Sequence, residues 1–144
     1  MRVKYVGGSL AGVAEKPFTY EREGEKFEVE EPTIFIGRDF IEGKVEGSSF
    51  GKVASHERYH AVVSPRSEGG WAGGGKHEGI GRLEDEIEAM LFSEMASGER
   101  ILGDEVSVQR ERAEALGIAG NGWKDLVKAC AARIGYSNSL GEWW

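Results

Sequence analysis

Ser48-Ser49-Phe50-Gly51-Lys52-Val53-Ala54-Ser55-His56-Glu57-Arg58-Tyr59-His60-Ala61-Val62-Val63-Ser64-Pro65 is where the character of the chain changes. The hydroxyl of Ser48 or Ser49 can accept from the free N–H groups at a helix start. Pro65 has no N–H to donate and ends the segment. Phe50, Val53, Ala54, Ala61 and Val62 are the apolar positions between them, so the spacing predicts a helix running to Val63.

Upstream of it the period is two rather than three to four. Arg2–Val6 alternates polar and apolar residues and is closed by Gly7-Gly8. Phe18–Arg22 and Lys26–Glu30 alternate likewise, with Gly24 between them as a hairpin turn. Pro32 precedes Thr33-Ile34-Phe35-Ile36, a short β-branched and aromatic run, and a proline at a strand's first residue is tolerated most easily at a sheet edge. Three or four strands in one small sheet are expected here.

Downstream, residues 67–81 hold seven glycines around Trp71 and His77, which reads as a surface loop. A second helix fits Arg82–Ser97, with Leu83, Ile87, Met90, Leu91 and Met95 as its apolar stripe and Gly98 as its stop. Two more fit residues 105–116 and 123–134, the latter with Trp123, Leu126, Val127, Cys130, Ala131 and Ile134 on one side. No repeat or second core is visible. The expectation is one α+β domain over residues 1–144, β-rich over 1–47, helical over 48–134, with a tail over 135–144.

Composition narrows the function. In 144 residues, 18 Lys and Arg stand against 25 Asp and Glu, a net charge of −7, which argues against a phosphate-backbone binder. A 40% hydrophobic share supports a packed core. The single Cys130 forms no internal disulfide and excludes a cysteine-only zinc site. No apolar run approaches the ~18 residues of a membrane span, and the first residues lack the apolar stretch of a secretory signal. A cytoplasmic domain with no nucleic-acid or membrane partner is expected; nothing in the sequence sets an oligomeric state.

The chemistry lies in His56-Glu57-Arg58-Tyr59-His60, which matches H-E-x-x-H inside a predicted helix. Residues four apart share a helix face one turn apart, so both imidazoles can reach one metal ion. Glu57 follows the first histidine and points elsewhere, which leaves it free to take a proton from water activated by the metal. The plain alternative is an exposed charged turn that happens to hold two histidines. A catalytic zinc (Zn2+) needs a third protein ligand. His77 is one source, and the acidic helix Glu84-Asp85-Glu86-Ile87-Glu88 is the better one, because Ile87 and Leu91 facing the core would hold it against the first helix.

These residues resemble the gluzincin metallopeptidases. They are most similar to the compact members: the minigluzincins and the metallopeptidase domains of phage-repressor-cleaving and radiation-response regulators. The family order is an edge strand, an H-E-x-x-H helix, a loop, then a helix of the form E-x-E-A-x-x-F. Thr33–Ile36, Ser49–Val63 and Glu86-Ile87-Glu88-Ala89-Met90-Leu91-Phe92 fit it, over about residues 30–97. The resemblance implies His56 and His60 as zinc ligands, Glu57 as general base or acid, and Glu86 as third ligand. Glu88, Glu84 and His77 stay open as alternatives. Met90 departs from the Asp or Asn that the family often places four residues after the ligand glutamate to brace a histidine. No bracing group is identifiable from the residues alone.

Tyr136 and His77 are candidate oxyanion stabilisers. Tyr59 is expected in the core, Trp71 as cover or lid, and Trp143-Trp144 as a docked or disordered terminus; the resemblance to minigluzincins implies a segment entering the cleft as the alternative. The Thr33–Ile36 strand would pair with an extended substrate if it lies at an edge. The function implied is a zinc-dependent peptidase acting on a peptide or protein substrate. The alternatives are a metallopeptidase-like regulatory or protein-binding domain without general proteolysis, phage or mobile-element encoded, and an interaction protein whose two histidines are plain helix residues.

Overall fold

A computed structural model of the protein describes residues 2–8, 11–14, 18–22, 24–29, 33–64, 79–140 and 144. The architecture is α+β. Among the described residues five strands come first: β1 (Arg2–Val6), β2 (Ala11–Ala14), β3 (Phe18–Arg22), β4 (Glu25–Val29) and β5 (Thr33–Gly37). They divide between two sheets rather than forming one. The first has the order β1-β5-β2, with β1 parallel and β2 antiparallel to β5. The second is the β3–β4 hairpin, which turns beside Gly24 at φ +78°.

Two expectations change here. β5 is the middle strand, all five of its residues are buried, and both its edges are filled. It therefore offers no free edge to a substrate. β2, Ala-Gly-Val-Ala, had no periodic signal because three of its four residues are small and poor strand formers; its pairing with β5 makes it a strand. Alternation also misleads in β1, where Val3 and Tyr5 are exposed and only Val6 is buried.

One short turn, α1 (Arg38–Ile41), follows β5 directly and is too brief to show a helical period. The decisive helix, α2 (Phe50–Arg58), starts where the sequence places it: Ser49 is the N-cap, and its hydroxyl accepts from the Lys52 N–H at 3.2 Å. It does not run on as α-helix to Val63. Tyr59–Val63 forms a π turn, with the Ser64 N–H donating to the Tyr59 carbonyl at 2.8 Å. Val53 and Ala61 face the sheet core with Ile34 and Ile36, whereas Phe50 and Val62 are exposed. Phe50 sits on the first turn, where its ring meets Tyr5 at 6.2 Å instead of the core.

α2 packs between the first sheet and α3 (Ile80–Ser97), which ends at Gly98 in the left-handed region, φ +74°. α4 (Gly103–Ala115) and α5 (Asn121–Ile134) close the other side of α3. Leu83, Ile87, Met90 and Leu91 of α3 meet Val106 and Ala113 of α4 and Trp123, Val127 and Cys130 of α5 in the larger core. Trp144 stacks on Trp123, ring centroids 6.2 Å apart and nearly parallel, so the last residue docks on α5. Among the described residues no helix is long and apolar enough to cross a membrane.

Candidate metal centre

α2 and its π turn deliver His56 and His60, and α3 delivers Glu86 from the facing side. The ligand atoms converge, with one Glu86 oxygen turned to each histidine. His56 Nε2 and His60 Nε2 are 3.2 Å apart, His56 Nε2 lies 3.3 Å from Glu86 Oε2, and His60 Nε2 lies 3.4 Å from Glu86 Oε1. A tetrahedral zinc with bonds of about 2.0–2.1 Å spaces its ligands by about 3.3–3.4 Å. The donor set and its spacing fit such an ion, and the three residues each offer a ligand atom within 4.8 Å of the others.

The charges agree with that fit. Burial works to raise the Glu86 carboxyl, but the hydrogen bonds and charges of His56 and His60 outweigh it and hold the group far below the usual carboxylate range. Burial works to lower the His60 imidazole, yet Asp85 and Glu86 push it up to about 9. A buried carboxylate pressed on two imidazoles demands a cation, whether protons or a metal supplies it.

Asp85 is the bracing group that the sequence did not reveal. Its Oδ2 lies 2.6 Å from His60 Nδ1, and both residues are almost fully buried. An ionised carboxylate only accepts, so Nδ1 keeps its proton and Nε2 is the atom that can exchange a proton for a metal. The Ser64 hydroxyl donates to the other Asp85 oxygen. The family pattern looks four residues beyond the ligand glutamate for such a brace. Here it stands one residue before, and Met90 packs in the larger core. Its sequence signal is its place beside Glu86, in a turn shared with Glu84 and Glu88.

Glu57 is buried and shares the wall of a cavity of about 150 Å³ with His56, Lys52, Val53, Ser93 and Ala11. Burial raises its carboxyl pKa, opposed by the charges of His56 and His60. A buried carboxylate tuned upward beside His56 and His60 has the chemistry of a proton acceptor. Lys52 is buried too, but its ammonium is spent on Gly47 O, Arg100 O and Glu105 Oε2 at 2.7–3.2 Å.

The other candidates are placed elsewhere. Glu88 accepts from the Tyr59 hydroxyl and from Arg133 Nε, each at 2.6 Å, and Glu84 pairs with Arg133 Nη2. Glu84, Glu88 and Cys130 make a second cluster of metal-ligand types. Arg133 already supplies its cation, and burial pushes the Cys130 thiol up to about 12, so it stays protonated. Tyr136 is not beside the histidines. Its hydroxyl donates to Glu94 Oε1 at 2.5 Å, and Glu94 also accepts from the Ile101 N–H and Asn138, which ties the tail to the far end of α3. Glu94 lies about 12 Å along the helix axis from Glu86. Tyr59 is core, as expected, at 1% exposure. His77, Trp71 and Trp143 lie outside the described residues.

Compared with models of known families, with curated proteins and with solved structures, the chain matches none.

Proposed function

We propose that the chain is a zinc-dependent peptidase, a single zincin-like metallopeptidase domain of the gluzincin kind. His56, His60 and Glu86 would hold the ion and Glu57 would act as general base. The observation that carries this reading is the convergence of the two Nε2 atoms, 3.2 Å apart, on the two oxygens of the Glu86 carboxylate at 3.3 and 3.4 Å, with the Asp85 brace behind His60. Zinc held there supplies Lewis acidity, polarising a carbonyl and making water a stronger acid.

The chain's own groups divide the remaining work. Asp85 holds the Nδ1 proton of His60 and so keeps Nε2 aimed inward. Glu57 takes the proton lost by water as its oxygen bonds to the peptide carbonyl carbon, then returns a proton to the nitrogen as the C–N bond breaks. The substrate is a peptide or protein, met in the cytoplasm.

The cavity beside His56 and Glu57, about 150 Å³, is smaller than the ~300 Å³ and above of ordinary ligand pockets. That favours, as a second reading, a domain that acts on one protein partner rather than on peptides at large.

Metal analysis with a peptide-library digest tests both. The expectation is one zinc per chain, cleavage lost with zinc retained in Glu57→Gln, and zinc lost in Glu86→Ala. Zinc retained with no peptide cut would favour the second reading. A wild-type chain that takes up no zinc, and whose melting temperature ignores zinc and chelator, would sink both.

A further inference from the structure

The H-E-x-x-H helix changes from α to π inside its own motif. The change falls at Tyr59, so His60 sits on a turn closed by the five-residue bond from the Ser64 N–H to the Tyr59 carbonyl at 2.8 Å. A π turn is rare and competes with the ordinary helix, so side chains must hold it, and such turns collect at functional sites. Here both ends are tied to α3. At the start, the Tyr59 hydroxyl donates to Glu88 Oε2 at 2.6 Å; at the end, the Ser64 hydroxyl donates to Asp85. His60, between them, also bonds Asp85.

The end tie belongs to the metal centre already described. The start tie leads away from it. Glu88 is 1% exposed, and a carboxylate that deep is stable only when paired. Its Oε1 accepts from Arg133 Nε at 2.6 Å, and the same guanidinium reaches Glu84 through Nη2. Arg133 stands in the last turn of α5. Glu84 and Glu88 each lie two residues from Glu86, about 200° around the helix axis. A contact on one side of α3 thereby fixes the turn that carries a ligand on the other.

We propose that Arg133, Glu88 and Tyr59 form a positioning chain that holds the π turn, and with it His60 Nε2, where it can converge with His56 and Glu86. The proposal rests on the metal-centre reading. Tyr59 touches no reacting atom; it acts through the next residue along the chain. Its ring packs 5.5 Å from Phe92, an apolar contact that does not need the hydroxyl, so Tyr59→Phe separates packing from positioning.

The experiment compares wild type, Tyr59→Phe, Arg133→Met and Arg133→Lys. Three quantities are read: zinc affinity by competition titration, melting temperature of the metal-free protein, and NMR of the Ser64 amide exchange and the His60 ring nitrogens. In Tyr59→Phe and Arg133→Met, zinc affinity is expected to fall about tenfold, in the range of outer-shell partners. Ser64 amide exchange quickens, and the His60 nitrogen signals shift. Arg133→Lys, which keeps a cation beside Glu88, recovers part of the affinity. Wild-type zinc affinity and an unchanged Ser64 amide in Tyr59→Phe, whatever happens to the melting temperature, would overturn the proposal. If wild type binds no zinc, the peptidase reading fails. The positioning chain is then judged on the two NMR readouts alone, and their indifference to Tyr59→Phe would overturn it as well.

Discussion

Within one turn of α3 the chain sets four carboxylates, Glu84, Asp85, Glu86 and Glu88, and they meet two different cations. Asp85 and Glu86 face imidazoles; Glu84 and Glu88 face the guanidinium of Arg133. The two pairs differ little in chemistry or exposure. What separates them is the partner. A guanidinium is permanently charged and fills its own site, whereas an imidazole gives up its proton and leaves a lone pair for a metal. One acidic turn thus serves as a fastening on one side and as part of the candidate ligand set on the other.

The strongest way to break this comparison is to exchange the two sides by mutation. Glu86→Ala is expected to reduce zinc affinity by more than the roughly 10–100-fold that outer-shell partners are worth, while Glu84→Ala leaves it within a few-fold. Isothermal titration of both variants decides this, and equal losses would erase the distinction. Asp85→Asn comes next. It keeps the shape of the brace but weakens its hold on the His60 Nδ1 proton, so affinity should fall roughly 10–100-fold with the secondary structure intact by circular dichroism.

On the fastening side the expected effect is on stability. Arg133→Met leaves Glu88 buried without its guanidinium and should cost about 1–3 kcal/mol in urea denaturation, moderated because Arg133 is itself half exposed.

A further effect concerns pH. In the metal-free protein the His60 pKa stands above its unfolded value of 6.5, at about 9. Its contribution is fully present below 6.5 and is lost as pH rises through about 9. Glu86 is depressed, so its contribution is present above its ordinary value and lost well into the acid range. The metal-free melting temperature should therefore decline between neutral and alkaline pH, and His60→Gln should flatten that decline.

Much of the fold could be read directly. The Ser49 cap, the Gly98 stop and the stripe Leu83, Ile87, Leu91 each carry a local cause, and the helices lie within a few residues of where spacing puts them. The alternating or β-branched runs mark where β1, β3, β4 and β5 lie, but not which face of β1 is buried or that the strands divide between two sheets. What failed was whatever depends on a neighbour. Ala11–Ala14 becomes a strand because β5 offers it an edge, and Thr33–Gly37 is central because two strands claim its sides.

The candidate site divides in the same way. His56, Glu57 and His60 are marked by spacing, since residues four apart share a helix face whatever surrounds them. Glu86 could be ranked among its neighbours by pattern but not separated from them by physics. Tyr136 was drawn toward the site by its chemistry alone and lies instead on Glu94.

Local spacing is enough to put two imidazoles on one helix of this chain with a glutamate beside the first, and an acidic helix after it. Packing of α3 against α2 and α5 selects which carboxylates meet the histidines, sets Asp85 against His60, and accompanies the π turn within the motif. The physical reason is range. Caps, stops and helix faces are set by bonds and spacings within a few residues, whereas choosing among four like carboxylates depends on which cation α2 or α5 brings to each, from 20 to 50 residues away in the chain.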